Sequence, residues 1–309
     1  MKNINVFSEE DVTQCITKSF DEYSNLFSNL QSTLLSNLYK RHHSTEKGII
    51  VLFFNRETQK KILRNKDYDL DFDLSFTKFW QNHNEIVHTK HSISSIATKI
   101  GSPKETTRRN ILHLFNQKVL GKENGIVCFI PNENYKNNFR KFTDIEINKI
   151  LGLIKFISTK LDFTIEIEDI RKDIKKNFTF YWFHFLDAQI EYLKEWRKNI
   201  SDIDLLLIYY KCLILFSEKR NLSSKNEEMN INTELISEAT GIPRATCLRK
   251  LEKLSKIKSI DQNKISKRYY VTDQTFKNSK IYEIEKSLRI VRTYCKFYYT
   301  CIKALSFRI

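Results

Sequence analysis

Apolar residues recur at helical spacing along most of the chain. Over residues 9–41 the series Val12, Ile16, Phe20, Tyr23, Phe27, Leu30, Leu34 and Leu38 predicts an amphipathic helix, with Ser8 ahead of acidic residues at its start. Residues 48–54, GIIVLFF, read as a short buried strand or the start of a packed segment, because a continuous apolar run has no period to separate the two. A polar, acidic loop is expected over 65–73, and helical spacing resumes over 72–87 through Phe76, Phe79, Trp80 and Val87. Residues 132–140, rich in Asn and Lys, read as a linker between domains. Further helices are expected over 145–161, 167–178, 181–196 and 202–216. A second polar connection follows over 217–232, and a last helix runs over 281–303 along Ile284, Leu288, Val291, Tyr294, Cys295 and Tyr298.

Two segments carry a different pattern, and they match each other. GSPKETTRRN at 101–110 returns, shifted by 140 positions, as GIPRATCLRK at 241–250. In the first, Ser92 caps a short helix through Ile93, Ile96, Ala97 and Ile100, and Gly101 makes a turn. Ser102, Pro103 and Glu105 fit a capping box at N-cap, N1 and N3 of a second helix, whose inner stripe is Thr107, Ile111, Leu114 and Phe115. Two apolar strands follow around the turn Glu123-Asn124-Gly125. The second copy repeats the layout with Asn232, Gly241, Pro243, an inner stripe of Cys247, Leu251 and Leu254, a strand over 257–260, a polar tip at 261–264 and a returning strand over 268–271.

This predicts a mainly α fold with small β-hairpin wings: two winged helix-turn-helix domains in one chain, with flanking helices. The expected organisation is an N-terminal helical region (1–70), a first winged domain (71–132), a central helical region (141–200), a second winged domain (201–275) and a C-terminal helix (280–309). The flanks hint at repetition too, since Asp71-Phe72-Asp73-Leu74 and Asp202-Ile203-Asp204-Leu205 stand at nearly the same offset.

GSPKETTRR resembles the recognition helix of Crp/Fnr-type regulators, and GIPRATCLRKLEKL is similar to the looser form in MarR- and IclR-like bacterial regulators. The likeness covers about forty residues in each copy. It implies that Lys104, Glu105 and Arg109 reach base edges while Thr106 contacts a phosphate, with Arg244, Arg249 and Thr246 in the corresponding places. Ala245 stands where the second copy would need the glutamate, and no Gly-rich β-roll for a cyclic nucleotide is present.

The residue chemistry agrees with a duplex DNA partner. Arg109 suits a bidentate contact to guanine, and Glu105 suits either a cytosine amino group or the cap with Ser102. Lys104 and Arg108 share that outer face, as do Arg244, Leu248 and Arg249 on the second helix. Lys118, Lys122, Lys258, Lys264, Lys267 and Arg268 surround the hairpins and suit backbone phosphates, as do Ser102, Thr106 and Thr246 near the helix amide ends. A formal charge of +15 raises the prior for an anionic partner.

Other chemistries find less support. Six scattered cysteines never approach CxxC spacing, and seven histidines complete no metal set, so neither metal nor cofactor is expected. The aromatic run at 178–185 reads as core. No apolar run is long enough to span a bilayer and the first residues lack a signal-peptide pattern, so a cytoplasmic protein without a membrane partner is expected. The leading expectation is a transcriptional regulator, acting as a pseudo-symmetric monomer or a homodimer. A replication initiator or partition-type protein and a protein–protein adaptor are the alternatives, and an enzyme is the weakest.

Overall fold

The computed structural model describes residues 7–66, 75–82, 89–130, 132–163, 165–220, 229–263, 265–266 and 268–306. It is mainly helical. The first half runs α1 (Glu9–Lys18), α2 (Phe20–His42), α3 (Thr45–Lys66), a short α4 (Phe76–Gln81), β1 (Lys90–His91), α5 (Ile93–Ile100), α6 (Lys104–Asn116), β2 (Leu120–Glu123), β3 (Ile126–Phe129) and a long α7 (Glu133–Lys160). The second half repeats the order with α8 (Ile167–Lys176), α9 (Phe178–Asn199), α10 (Ile203–Arg220), β4 (Met229–Ile231), α11 (Thr233–Thr240), α12 (Arg244–Lys256), β5 (Asp261–Gln262) and β6 (Tyr269–Val271). It closes on α13 (Asp273–Lys277), α14 (Lys280–Lys286) and α15 (Leu288–Ser306). Each half contributes a small antiparallel sheet, ordered β1-β3-β2 and β4-β6-β5.

The correspondence extends to individual positions. Glu9–Lys18 and Ile167–Lys176 are both ten residues long, and each is followed by a single break before the next helix. At those breaks Ser19 has φ −110° and ψ 31°, and Asn177 has φ −110° and ψ 40°. Eleven buried positions of α2, from Phe20 through Gln31 to Leu38, fall on buried positions of α9, from Phe178 through Gln189 to Trp196, at one offset of 158. The offset becomes 140 at the two glycine turns, Gly101 and Gly241, because the first half is longer between its third helix and first strand, where α4 lies.

Packing crosses between the halves. α3 lies on α9 and α10 on α2, while α7 backs α2 and α15 backs α9. Even the first helices are exchanged, with α1 on α15 and α8 on α7. At the centre Gln31 and Gln189, both fully buried, donate to one another reciprocally at 2.9 Å, and Gln31 Nε2 also donates to Tyr294 Oη at 2.9 Å. Each half therefore completes the other's core, and the buried amide pair joins corresponding positions across an approximate two-fold relation.

The structure corrects several expectations. Residues 48–54 are not the strand of the first alternative but a packed segment within α3. Their side chains are buried on every face because helices surround them, which erases the helical period. The helix expected over 9–41 breaks at Ser19, and the last one breaks at Ser287. Residues 132–140 are no linker. Asn132 caps α7 by accepting from Tyr135 N at 2.9 Å, and the Arg41 guanidinium sits over the rings of Tyr135, Phe139 and Phe142. The spacing of those three aromatics marks a helix that the Asn/Lys content hides. Residues 71–74 lie outside the described residues, and Asp204 corresponds instead to Glu46 at the offset of 158. The aromatic run is core, with Phe178, Tyr181, Trp182 and Phe185 buried. No helix among the described residues is long and apolar enough to cross a membrane.

Candidate nucleic-acid interface

The two glycine turns are built alike. Gly101 (φ 67°) ends α5 and Gly241 (φ 79°) ends α11, both in the left-handed region that glycine enters without a Cβ clash. Neither turn has room for a side chain. A Cβ on Gly101 would lie 3.0 Å from Lys194 Cγ of α9, and one on Gly241 would lie 2.8 Å from Lys40 Cγ of α2. Each turn is thus braced by the long helix of the other half. Arg197 of α9 adds a hydrogen bond to the Ile100 carbonyl and an ion pair with Glu46.

The helix start differs from the capping box. Helix α6 begins at Lys104 with Pro103 as its N-cap, and no side chain caps it. The Ser102 amide donates back to the Ala97 carbonyl at 3.0 Å, closing the preceding helix. That leaves Glu105 at the second helical position, one residue too early to reach back to a cap. Its carboxylate takes Arg108 instead, through Nε at 2.9 Å and Nη2 at 2.8 Å, with Arg109 Nε at 3.5 Å. Arg108 lowers the Glu105 carboxyl below the ordinary glutamate range, first by hydrogen bonding. Likewise Pro243 precedes α12 as its N-cap and is not its first residue.

Beyond the proline the two helices present the same surface. Thr107, Ile111 and Leu114 are buried, as are Cys247, Leu251 and Leu254. Lys104, Glu105, Arg108 and Arg109 are exposed on α6, and Arg244, Leu248 and Arg249 on α12, while Ser102, Thr106 and Thr246 are half-buried. Arg109 is more open than Glu105 or Arg108, with 69% of its side chain accessible, and Arg249 leans on Thr246 Oγ1 at 3.2 Å. Leu248 is 44% exposed, so protein covers little more than half of it.

The hairpins diverge. In the first, Asn124 (φ 49°) and Gly125 (φ 81°) both adopt positive φ, as a two-residue type I′ turn requires, and Lys122 is exposed on β2. In the second, residues 257–260 do not form the expected strand. Ile257 ends α12, and Lys258 (φ 57°) turns the chain so that pairing starts at Asp261. Lys118 (φ 54°) makes the same turn in the first copy. Asp261 and Gln262 therefore belong to a strand and not to the tip, where Asn263 Oδ1 accepts from the amides of Ile265 and Ser266 at 2.9 Å each. Lys264 and Lys267 lie outside the described residues, and Arg268 is exposed.

Three features escaped sequence reasoning. Ile265 is 95% exposed at the second hairpin tip, where polar neighbours hid it. Short strands β1 and β4 complete each sheet ahead of the helix caps. Lys250, inside the repeated motif, does not face outward but holds Asp202 at 2.7 and 2.8 Å, tying α12 to the start of α10. Its counterpart Asn110 gives no charge to read, so the tether had no signal in the repeat. No protein-family model matches the chain, and neither does any curated protein or solved structure.

Proposed function

We propose that the chain is a sequence-specific duplex DNA-binding protein with two unequal winged helix-turn-helix readers, acting as a pseudo-symmetric monomer in transcriptional control. The observation that carries this reading is the pair of helices α6 and α12. Each follows a left-handed glycine turn, buries the same stripe and leaves cations on the outer face of its first turns. A helix so placed suits the major groove, with Arg109 and Arg249 as guanine readers. Lys104, Arg108, Arg244 and Leu248 flank them, while Lys118, Lys122, Lys258 and Arg268 suit phosphates along the hairpins.

The bracing of each glycine turn by the opposite half favours a fixed spacing between readers, with no hinge for independent docking. Because α6 offers Lys104, Glu105, Arg108 and Arg109 where α12 offers Arg244, Ala245, Leu248 and Arg249, the expected site has unlike halves. The ion pair from Glu105 to Arg108 orients the carboxylate while leaving a lone pair on each oxygen for a cytosine amino group.

Selection of bound duplexes from a random pool, followed by anisotropy titrations at several salt concentrations, tests the proposal. Arg109→Ala should lose about 1–3 kcal/mol of discrimination at one base pair. Lys122→Ala should weaken all duplexes alike and flatten the salt dependence. If both variants bind every duplex as the parent does, the assignment of α6 as a reader fails. Repeated sites clustered at a replication origin would favour the initiator reading, and absence of salt-sensitive duplex binding would favour an adaptor.

A further inference from the structure

A second basic feature lies on the first half, between α3 and the β1 strand of its small sheet. An open cleft of about 500 Å³ lies between the end of α3 and β1, lined by Glu57, Lys60, Lys61, Arg64, Thr89, Lys90 and His91. Its one carboxylate is already committed. Glu57, 7% exposed, takes Arg56 Nη2 at 2.7 Å and Nε at 3.1 Å, and Lys99 Nζ at 3.4 Å. Lys90 pairs with Glu123 at 2.8 Å. Lys60, Lys61 and Arg64 have no carboxylate partner among the described residues.

Two polar atoms at the cleft are buried without a hydrogen-bond partner, Thr89 Oγ1 and His91 Nε2. The imidazole is held edge-on by Phe53 and Phe54, at ring distances of 4.9 and 5.8 Å, and Glu57 stands 3.8 Å from its Nε2, too far to hydrogen-bond. A hydroxyl and an imidazole nitrogen, both able to donate, thus line one cleft with three cations that have no carboxylate partner among the described residues.

The fold does not require this chemistry. At the corresponding positions of the second half stand Leu215 for Glu57, Glu218 for Lys60, Met229 for Thr89, Asn230 for Lys90 and Ile231 for His91. The same helix and strand therefore carry apolar, neutral polar or oppositely charged residues at these positions, although Lys219 keeps the charge of Lys61. A buried polar pair costs free energy unless something satisfies it, and the second half shows the cheaper solution.

We propose that the cleft between α3 and β1 binds a small phosphate-bearing molecule. Lys60, Lys61 and Arg64 supply the charge, and Thr89 and His91, whose polar atoms are recessed below the open surface, turn outward to donate to its oxygens. The recessed donors suit a free ligand better than a phosphate of duplex DNA, which a convex backbone would hold at the rim. Since α3 packs directly on α5 and α6, an occupant would sit one helix away from the first reader.

The test is titration of the intact protein with inorganic phosphate and pyrophosphate against chloride at equal ionic strength, following the His91 imidazole resonances by NMR. A saturable His91 shift is expected, with affinity at least tenfold weaker in Lys61→Gln/Arg64→Gln and unchanged in the charge-matched control Lys149→Gln/Lys172→Gln. The response should also survive Arg109→Ala/Arg249→Ala, so that it stands or falls separately from DNA reading. Either no saturable shift, or equal loss in the control, overturns the proposal. A duplex alone shifting His91 as phosphate does would overturn it too, by assigning the cleft to DNA backbone.

Discussion

The buried amide pair at the centre offers the sharpest check on how the halves depend on one another. Replacing Gln31 by Leu keeps side-chain bulk but removes the acceptor for Gln189 Nε2 and the donor to Tyr294. Tyr294 Oη still donates to Gln189 Oε1, so the group stranded is one buried amide N–H donor set. Leaving such a group unsatisfied costs about 1–3 kcal/mol. Gln31→Leu should therefore destabilise the chain by about that amount, and Gln189→Leu by a similar amount.

The double variant separates this account from simple loss of packing. With both amides gone no amide is stranded, and only the Tyr294 hydroxyl lacks its partner; adding Tyr294→Phe removes that group as well. Urea unfolding followed by far-ultraviolet circular dichroism would give the four stabilities. The triple variant should lose clearly less than the sum of the single substitutions, since an all-apolar replacement of a satisfied polar cluster is nearly neutral. Strict additivity of Gln31→Leu and Gln189→Leu would refute the pairing across the halves.

Two turns predict opposite signs for similar substitutions. Gly241→Ala should cost about 1–2 kcal/mol, because the residue holds positive φ and its Cβ would meet Lys40. Lys258→Gly should gain about 0.5–1 kcal/mol, because it relieves a left-handed lysine at a modest cost in chain entropy; thermal melts read both, and equal signs would contradict the backbone assignment. Burial raises the Glu285 carboxyl to about 7, against hydroxyl donation from Tyr210 and Tyr192. The folded chain then keeps its proton while the unfolded chain loses it, so this group's stability is whole below about pH 4.5 and is lost as pH rises to about 7. The loss is about 3 kcal/mol, and Glu285→Gln should recover most of it at pH 8 relative to pH 5; parallel pH profiles for parent and variant would show that the acid is not held neutral.

What could be read from the residues depended on whether a feature left a local pattern. The glycine turns, the stripes of α6 and α12 and the Asn124-Gly125 hairpin are local, and each appears where its residues point. The capping box looked equally local, yet it failed by one position: the helix begins at Lys104, one residue after the proline, which stands at N-cap and not at N1, and Glu105 turned to Arg108. α3 was lost for the opposite reason, because helices on all sides removed the polar face that marks a period.

The larger repetition did leave a signature, but a sparse one: at the offset of 158 Phe20, Tyr23, Phe27, Gln31 and Leu35 meet the same residues at Phe178, Tyr181, Phe185, Gln189 and Leu193, separated by positions that share burial and not identity. Leu30 answers Ala188, Leu34 answers Tyr192 and Leu38 answers Trp196: each pair keeps an inward position while changing its volume. Such exchanges are tolerated when the facing side compensates, and here the facing side belongs to the other half. Among the identical pairs Gln31 and Gln189 are the one amide pair, kept because an amide can satisfy another amide reciprocally only where both stand on the axis that relates them. The asymmetry of the outward helices and the symmetry of this inner pair are then compatible. A core that must close on itself constrains the axis, while each outer face is free to take on its own partner. That freedom lets the residues around His91 differ from those around Ile231, and lets the outer faces of α6 and α12 differ on one nearly symmetric frame.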